Sequence, residues 1–173
     1  MRGLTHRAVD RAADLPVGST SYYARTRAAL LELAMARMVE SDVAEASPVP
    51  ELSDVDAFSQ MVAEFLHATI TGGRARMLAR YEFALEATRR PELRAIYDRA
   101  GARLREPAVA LLMSAGSVEP ERQARALISF CEGILFDSIA GLNHDNPPGA
   151  EELRDGVREL LNGMLARPPA GEP

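Results

Sequence analysis

LTHRAVDRAADLPVGSTSYYARTRAALL, residues 4–31, carries the punctuation of two short helices joined by a tight turn and followed by a third. Thr5 is a good N-cap, because its hydroxyl can accept one of the backbone N–H groups that the first turn of a helix leaves without an internal partner. Leu4 before it and Val9 after it occupy the apolar positions of a hydrophobic staple. A helix therefore starts at about His6, with Val9, Ala12 and Ala13 as a small apolar face. Asp14 and Leu15 end it, and Pro16, Val17 and Gly18 lead into a second short helix from about Ser19 to Ala24. Thr26 caps a third, which begins at Arg27 and carries Leu30, Leu31, Met35 and Met38 along one side. That spacing fits a helix-turn-helix.

The charge of this stretch differs in sign from the rest. The whole chain of 173 residues has a net charge of −5, which taken alone opposes nucleic-acid binding. Residues 1–37, however, hold six arginines against Asp10, Asp14 and Glu32, a net +3, while the remaining 14 arginines face 22 acids, a net −8. Ala, Leu and Arg dominate and aromatic residues make up only 5%, so the composition is helical. The single Cys131 cannot form an intramolecular disulfide, and the first residues do not resemble a secretory signal, so a cytoplasmic protein is expected. No apolar run approaches the roughly 18 residues that span a bilayer, so no membrane partner is expected.

Turn signals at 47–54, 71–73, 89–92, 114–121 and 141–149 separate helix-length segments, and RPPAGEP closes the chain as a frayed tail. Residues 55–70 place Phe58, Met61, Val62, Phe65, Thr69 and Ile70 on one stripe; 150–166 repeat Leu153, Val157, Leu160, Leu161, Met164 and Leu165 at three- and four-residue spacing. The segments 74–89, 92–114 and 121–141 behave alike, with Pro107 expected to kink or split the middle one. The expected fold is all-α, about eight helices and no strand. Its divisions are 1–37, a larger helical part over 38–167, and a flexible tail over 168–173.

Residues with sharper chemistry are few. Glu64 and His67 form an E-x-x-H pair, the spacing that binds two-metal centres in helical bundles, but such a centre needs two of these pairs. His6 and His144 have no Glu at that spacing, so neither a metal nor any other cofactor is expected. Cys131 lies in the apolar helix ALISFCEGILFDSIAGL and reads as a buried small hydrophobe. Phosphate loops, nucleophile elbows and cysteine clusters are missing, so no enzyme is expected. In the same helix Leu127, Cys131, Ile134 and Leu135 mark one side, while Phe130, Gly133, Phe136, Ala140 and Gly141 mark much of the rest. The second face needs a partner, from another copy or from the chain itself.

The quoted stretch resembles the DNA-binding segment of the tetracycline-repressor (TetR) family, and RYEFALEATRRPELRAIYDRAG, residues 80–101, resembles the regulatory domain of one subgroup. The resemblance implies a helix-turn-helix DNA-binding headpiece over 1–37, which includes the start of a connecting helix, and an all-helical regulatory, ligand-binding and dimerisation domain over 38–167. It places Thr5 and Arg7 at the first turn of a helix that meets a phosphate. Ser19, Thr20, Tyr22 and Tyr23 fall on the recognition helix, and Arg27 at a helix start that holds a backbone phosphate. A dimer would set two recognition helices in successive major grooves of a palindromic operator, about 34–36 Å apart or somewhat more.

Three positions depart from the family pattern. Only Met1, Arg2 and Gly3 precede Leu4, where the family has a further helix. The apolar sides of Val9, Ala12, Leu15 and Val17 are therefore expected to stay partly wet, each large side chain forgoing about 1.5–3 kcal/mol. Ala24 stands where a bulky aromatic is usual, and Asp14 where Gly is common, although Asp tolerates the left-handed conformation better than most residues.

By the same resemblance the last two helices form a homodimer interface, here Phe130, Gly133, Phe136, Ala140, Leu153, Val157, Leu160 and Met164. An effector pocket would draw on Met61, Phe65, Met77, Tyr81, Phe83 and Phe130, with Arg80 or Tyr81 as a polar anchor. The function this implies is a DNA-binding regulator, a repressor released by a small, partly apolar effector. Two alternatives stand beside it: a ligand-binding and dimerising module that does not bind DNA, and a helical-bundle metalloenzyme using Glu64 and His67.

Overall fold

The computed structural model describes residues 3–45 and 54–166, and among these it contains eight α-helices and no strand. They are α1 (His6–Ala12), α2 (Ser19–Tyr23), α3 (Arg27–Glu45), α4 (Val55–Gly72), α5 (Arg74–Ala87), α6 (Pro91–Ser114), α7 (Pro120–Ala140) and α8 (Ala150–Leu165). Except for Asp54, the turn expected at 47–54 lies outside the described residues, as does the tail at 168–173. The chain forms two compact units, Met1–Ser47 with Ala79–Ala102, and Pro48–Leu78 with Arg103–Pro173.

In the first unit the helix starts follow local capping chemistry. The Thr5 hydroxyl accepts from the Ala8 N–H at 3.2 Å, and the Thr26 hydroxyl accepts from the Ala29 N–H at 3.1 Å. Asp14 takes a positive φ of 52°, and its N–H donates to the Arg11 carbonyl as α1 ends. The core of the unit is Leu31 and Met35 of α3 against Phe83 and Ala87 of α5 and Leu93 of α6, with Leu4, Ala34, Met38, Ile96 and Tyr97 packed around them. Leu4, read from sequence as half of a staple, thus belongs to this larger cluster.

In the second unit α4 lies mainly along α8 and also touches α7, and α7 packs on α8. Asp54 caps α4 by accepting from the Ala57 N–H at 2.8 Å. Phe58, Ala63, Leu66 and Ile70 of α4 are buried, as are Leu127, Leu135 and Ile139 of α7 and Leu153, Val157 and Leu161 of α8. Two hydroxyls on the buried face of α4 are satisfied within the helix: Ser59 donates to the Val55 carbonyl and Thr69 to that of Phe65. The Gln123 side-chain N–H donates to the Met164 carbonyl at 2.5 Å, tying the start of α7 to the end of α8. Helix α7 stops at Gly141, where a Cβ would lie 2.6 Å from the Asp137 Cα; Asp137 then accepts from the Leu142 N–H and the Asn143 amide.

Of the kink or split expected at Pro107, the split is overturned. Pro107 does not split its segment, because α6 runs from Pro91 to Ser114 with the proline inside it. A proline removes one helix bond and crowds one turn, but bonds on either side can carry the helix past it when the flanking turns are otherwise anchored. Leu93 near one end and Leu111 and Leu112 near the other are buried anchors of that kind. Among the described residues no helix is long and apolar enough to cross a membrane.

Candidate nucleic-acid interface

Five residues are too few for a helix to hold itself in water, since isolated helices below about 12–15 residues are marginal. Helix α2 is held from outside. The Asp10 carboxylate of α1 accepts from the Gly18 N–H at 2.8 Å, from the Thr20 N–H at 2.8 Å and from the Thr20 hydroxyl. Gly18, the N-cap, has a φ of 97° and offers no side chain to do this. At the other end, His6 Nε2–H donates to the Ala24 carbonyl at 2.5 Å. A carbonyl can only accept, so the proton sits on Nε2. His6 and Asp10 are one turn apart on α1 and grip the two ends of α2.

Asp10 is buried, yet its charged form is favoured. The Thr20 hydroxyl first, then the Gly18 and Thr20 N–H groups, lower its pKa below the ordinary carboxylate value, against the opposing effect of burial. The charge also lies where the partial positive charge of a helix start favours an anion.

The outer side of α2 is consequently fixed. Tyr22 and Tyr23 are 82% and 77% exposed, their rings meeting edge to face at 5.2 Å. Thr5, Arg7 and Arg27 are exposed as well, and Ser19 is half-buried with its hydroxyl donating to the Pro16 carbonyl at 2.7 Å. Thr20 departs from the sequence reading: it is buried, and its hydroxyl is given to Asp10 rather than turned outward. Ala24 is fully buried at the end of α2. Arg27 lies within electrostatic reach of Glu86 on α5, whose carboxyl is held low by its bond to Arg90 and then by the charges of Arg90, Arg89 and Arg27. Leu15 and Val17, in the turn between the helices, are 47% and 83% exposed, as expected of a headpiece with part of its apolar surface wet.

The other expected sites fare unevenly. Of the pocket residues, Met61, Phe65, Met77 and Phe130 belong to the second unit, and Arg80, Tyr81 and Phe83 to the first. Met77 is buried and Phe83 is part of the first core, whereas Phe65 is 57% exposed on α4 and is no core residue. The Arg80 guanidinium lies 5.8 Å from the centre of the Tyr81 ring. A polar cavity of about 420 Å³ opens elsewhere, lined by Ile134, Asp137, Ser138, Asn143 and Glu152 among others, and none of the expected pocket residues lines it.

The expected interface residues divide in two. Leu153 and Val157 face inward and are buried within the single chain, so they cannot meet a partner, because α8 spends that side of its stripe on α4 and α7. Gly133, Phe136 and Ala140 of α7 are exposed, and Phe130, Leu160 and Met164 are half-buried, with Phe130 resting on Gly156 of α8. Glu64 accepts from the Gln60 amide at 2.7 Å, and among the described residues no three His, Cys, Asp or Glu side chains gather as metal ligands. Cys131 is half-buried, and desolvation first, then the charge of Glu132, pushes its thiol up to about 12.

Residues 53–167 match the family profile described as the tetracyclin repressor-like C-terminal domain. The chain belongs to the TetR family. A TetR-family member from Streptomyces coelicolor A3 is 32% identical over 92% of this chain and 87% of its own, with a TM-score of 0.70. The multidrug binding protein EbrR, solved in complex with ethidium, is 32% identical over the same shares, with a TM-score of 0.66. A transcriptional regulator from Rhodococcus sp. Rha1, 24% identical over 95% of this chain and 86% of its own, shares the fold with a TM-score of 0.71. No curated protein matches the sequence. The chain thus has the TetR-family regulator fold, with the family's ligand-binding C-terminal domain. Within its headpiece, sequence reasoning passed over Asp10 and His6. The available signal was a carboxylate one turn after a histidine, followed by a turn whose helix has glycine in place of a capping side chain.

Proposed function

We propose that this TetR-family protein is a homodimeric repressor acting in the cytoplasm, which binds operator DNA through α2 and is released by a small, partly apolar effector. The observation that carries the reading is a five-residue helix gripped at both ends that holds two adjacent tyrosines more than three-quarters exposed. Exposed aromatics on an immobilised helix suit sugars, thymine methyls and phosphates, and Thr5, Arg7, Ser19 and Arg27 supply hydroxyl and cationic contacts to the backbone. The exposed side of α7, with Leu160 and Met164 of α8, supplies the dimer contact. The complexes of EbrR with ethidium and proflavin make those dyes reasonable first effector probes. Within the second unit, Met61, Phe65, Met77 and Phe130 are the residues proposed to meet the effector.

A mobility shift with the intergenic DNA upstream of the protein's own gene tests this. Selective, salt-sensitive binding is expected, weakened for Tyr22→Ala with Tyr23→Ala by about tenfold or more, given roughly 1–3 kcal/mol for each lost base contact. Binding that does not distinguish this DNA from a shuffled duplex sinks the repressor reading. That outcome favours a second reading, a ligand-binding and dimerising module without DNA binding.

A further inference from the structure

The two ends of α2 are tied to one face of α1 by side chains that are not themselves on the reading surface. At the N-terminal end three donors converge on one buried carboxylate, and the Ser19 N–H takes the Pro16 carbonyl at 3.1 Å. The first donors of the helix are thereby satisfied, two of them by Asp10, four turn residues and a chain reversal away. At the C-terminal end the His6 bond takes up the Ala24 carbonyl. Between these ties only Ser21, Tyr22 and Tyr23 are exposed.

We infer that Asp10 and His6 are positioning residues for DNA reading: they fix the pitch and roll of α2, and thereby decide how well the protein tells its operator from other DNA. The inference rests on the regulator reading above and deepens it. Non-specific affinity comes from cations near phosphates and tolerates a loosely held helix. Base reading requires donors and apolar contacts placed to hydrogen-bond tolerance against particular base edges, which a swivelling helix forfeits. Loosening either tie therefore lowers the ratio of specific to non-specific affinity and leaves the non-specific term and its salt dependence in place. Thr20 acts with Asp10, since its hydroxyl and N–H both reach the same carboxylate oxygen.

The experiment titrates the 173-residue chain with the upstream intergenic duplex and with a shuffled duplex of equal length and composition, at two salt concentrations. Wild type is expected to prefer the former by about a thousandfold or more. Asp10→Asn and His6→Phe should cut that preference by at least about tenfold, with affinity for the shuffled duplex and its salt slope unchanged. Thr20→Ser and His6→Gln, which keep the donor in place, should keep the preference. If Asp10→Asn unfolds the headpiece, losing affinity for both duplexes, Thr20→Val decides, because it removes one donor and leaves both backbone bonds to Asp10. Its preference should fall by about threefold to tenfold. A selective wild type with equally selective Thr20→Val and His6→Phe variants overturns the inference while leaving the regulator reading intact. A wild type without selectivity overturns that reading and the inference with it.

Discussion

Asp10 joins burial to charge, and the acid stability of the headpiece follows from how it does so. Three donors stabilise its ionised form, so its folded pKa lies below the value of 3.8 that it has when free; His6, on the same helix, is the other titratable group acting on it, in the same direction. A carboxyl with a depressed folded pKa contributes its full stabilisation above the unfolded value and loses it as pH falls through the lower folded one. The Gly18 and Thr20 amides should therefore keep their native NMR positions and slow exchange from pH 8 down to about 4, and lose both only below that. A transition centred between pH 5 and 7 would mean that some group other than this carboxylate governs the hold on α2. None of this could be read from the residue alone. In sequence Asp10 looks like any acid on a short helix, and its partners, at 18 and 20, lie beyond a turn whose course depends on Asp14 and Gly18 both taking positive φ. Cap residues such as Thr5 and Thr26 were legible because their partners lie three residues on, within the local chain.

At the scale of the element, helical spacing locates a stripe but does not say how much of it the neighbours cover. Helix α4 illustrates this: Phe58, Thr69 and Ile70 turn inward as the period requires, whereas Phe65, placed on the same stripe, stands 57% exposed beside the fully buried Leu66. The buried side of α4 also takes in Ser59, Ala63 and Leu66, which the stripe read in sequence left out. Leu66→Ala should accordingly cost about 2–5 kcal/mol in urea unfolding, because it leaves a cavity that neighbouring helices cannot collapse into. Phe65→Ala should cost less than about 1 kcal/mol, the usual scale for a side chain that is already largely in water. Comparable losses at the two positions would put Phe65 in the core after all. The same limit applies to α8, where Leu153 and Val157 were legible as apolar but not as inward-facing. It also applies to Pro107, whose local rule was overridden by anchors at both ends of α6.

At the scale of the whole molecule, the proposed dimer needs an interface, and the exposed Gly133, Phe136 and Ala140 of α7 are the surface proposed for it. Gly133 lies in the middle of that side, and a Cβ built there meets nothing within 4 Å in the single chain. Within a protomer, then, Gly133→Arg adds a side chain to open space and replaces the residue that weakens a helix interior by about 1 kcal/mol relative to a good helix former. Against a second α7 the same guanidinium would be forced into an apolar contact with its two-fold copy, where like charges repel and neither has a partner. Light scattering of the wild type should give a dimer and of Gly133→Arg a monomer, with the helical circular dichroism spectrum of both the same. Because two half-sites are then no longer bound together, operator affinity should fall by about a hundredfold or more, and binding to a shuffled duplex, which draws on half as many phosphate contacts, should weaken too, with a shallower salt dependence. A Gly133→Arg protein that remains dimeric would place the interface on another face. The exposed Phe136 and Ala140 would then require a different occupant, and the spacing of two α2 helices along DNA would have to be built from a different pair of surfaces.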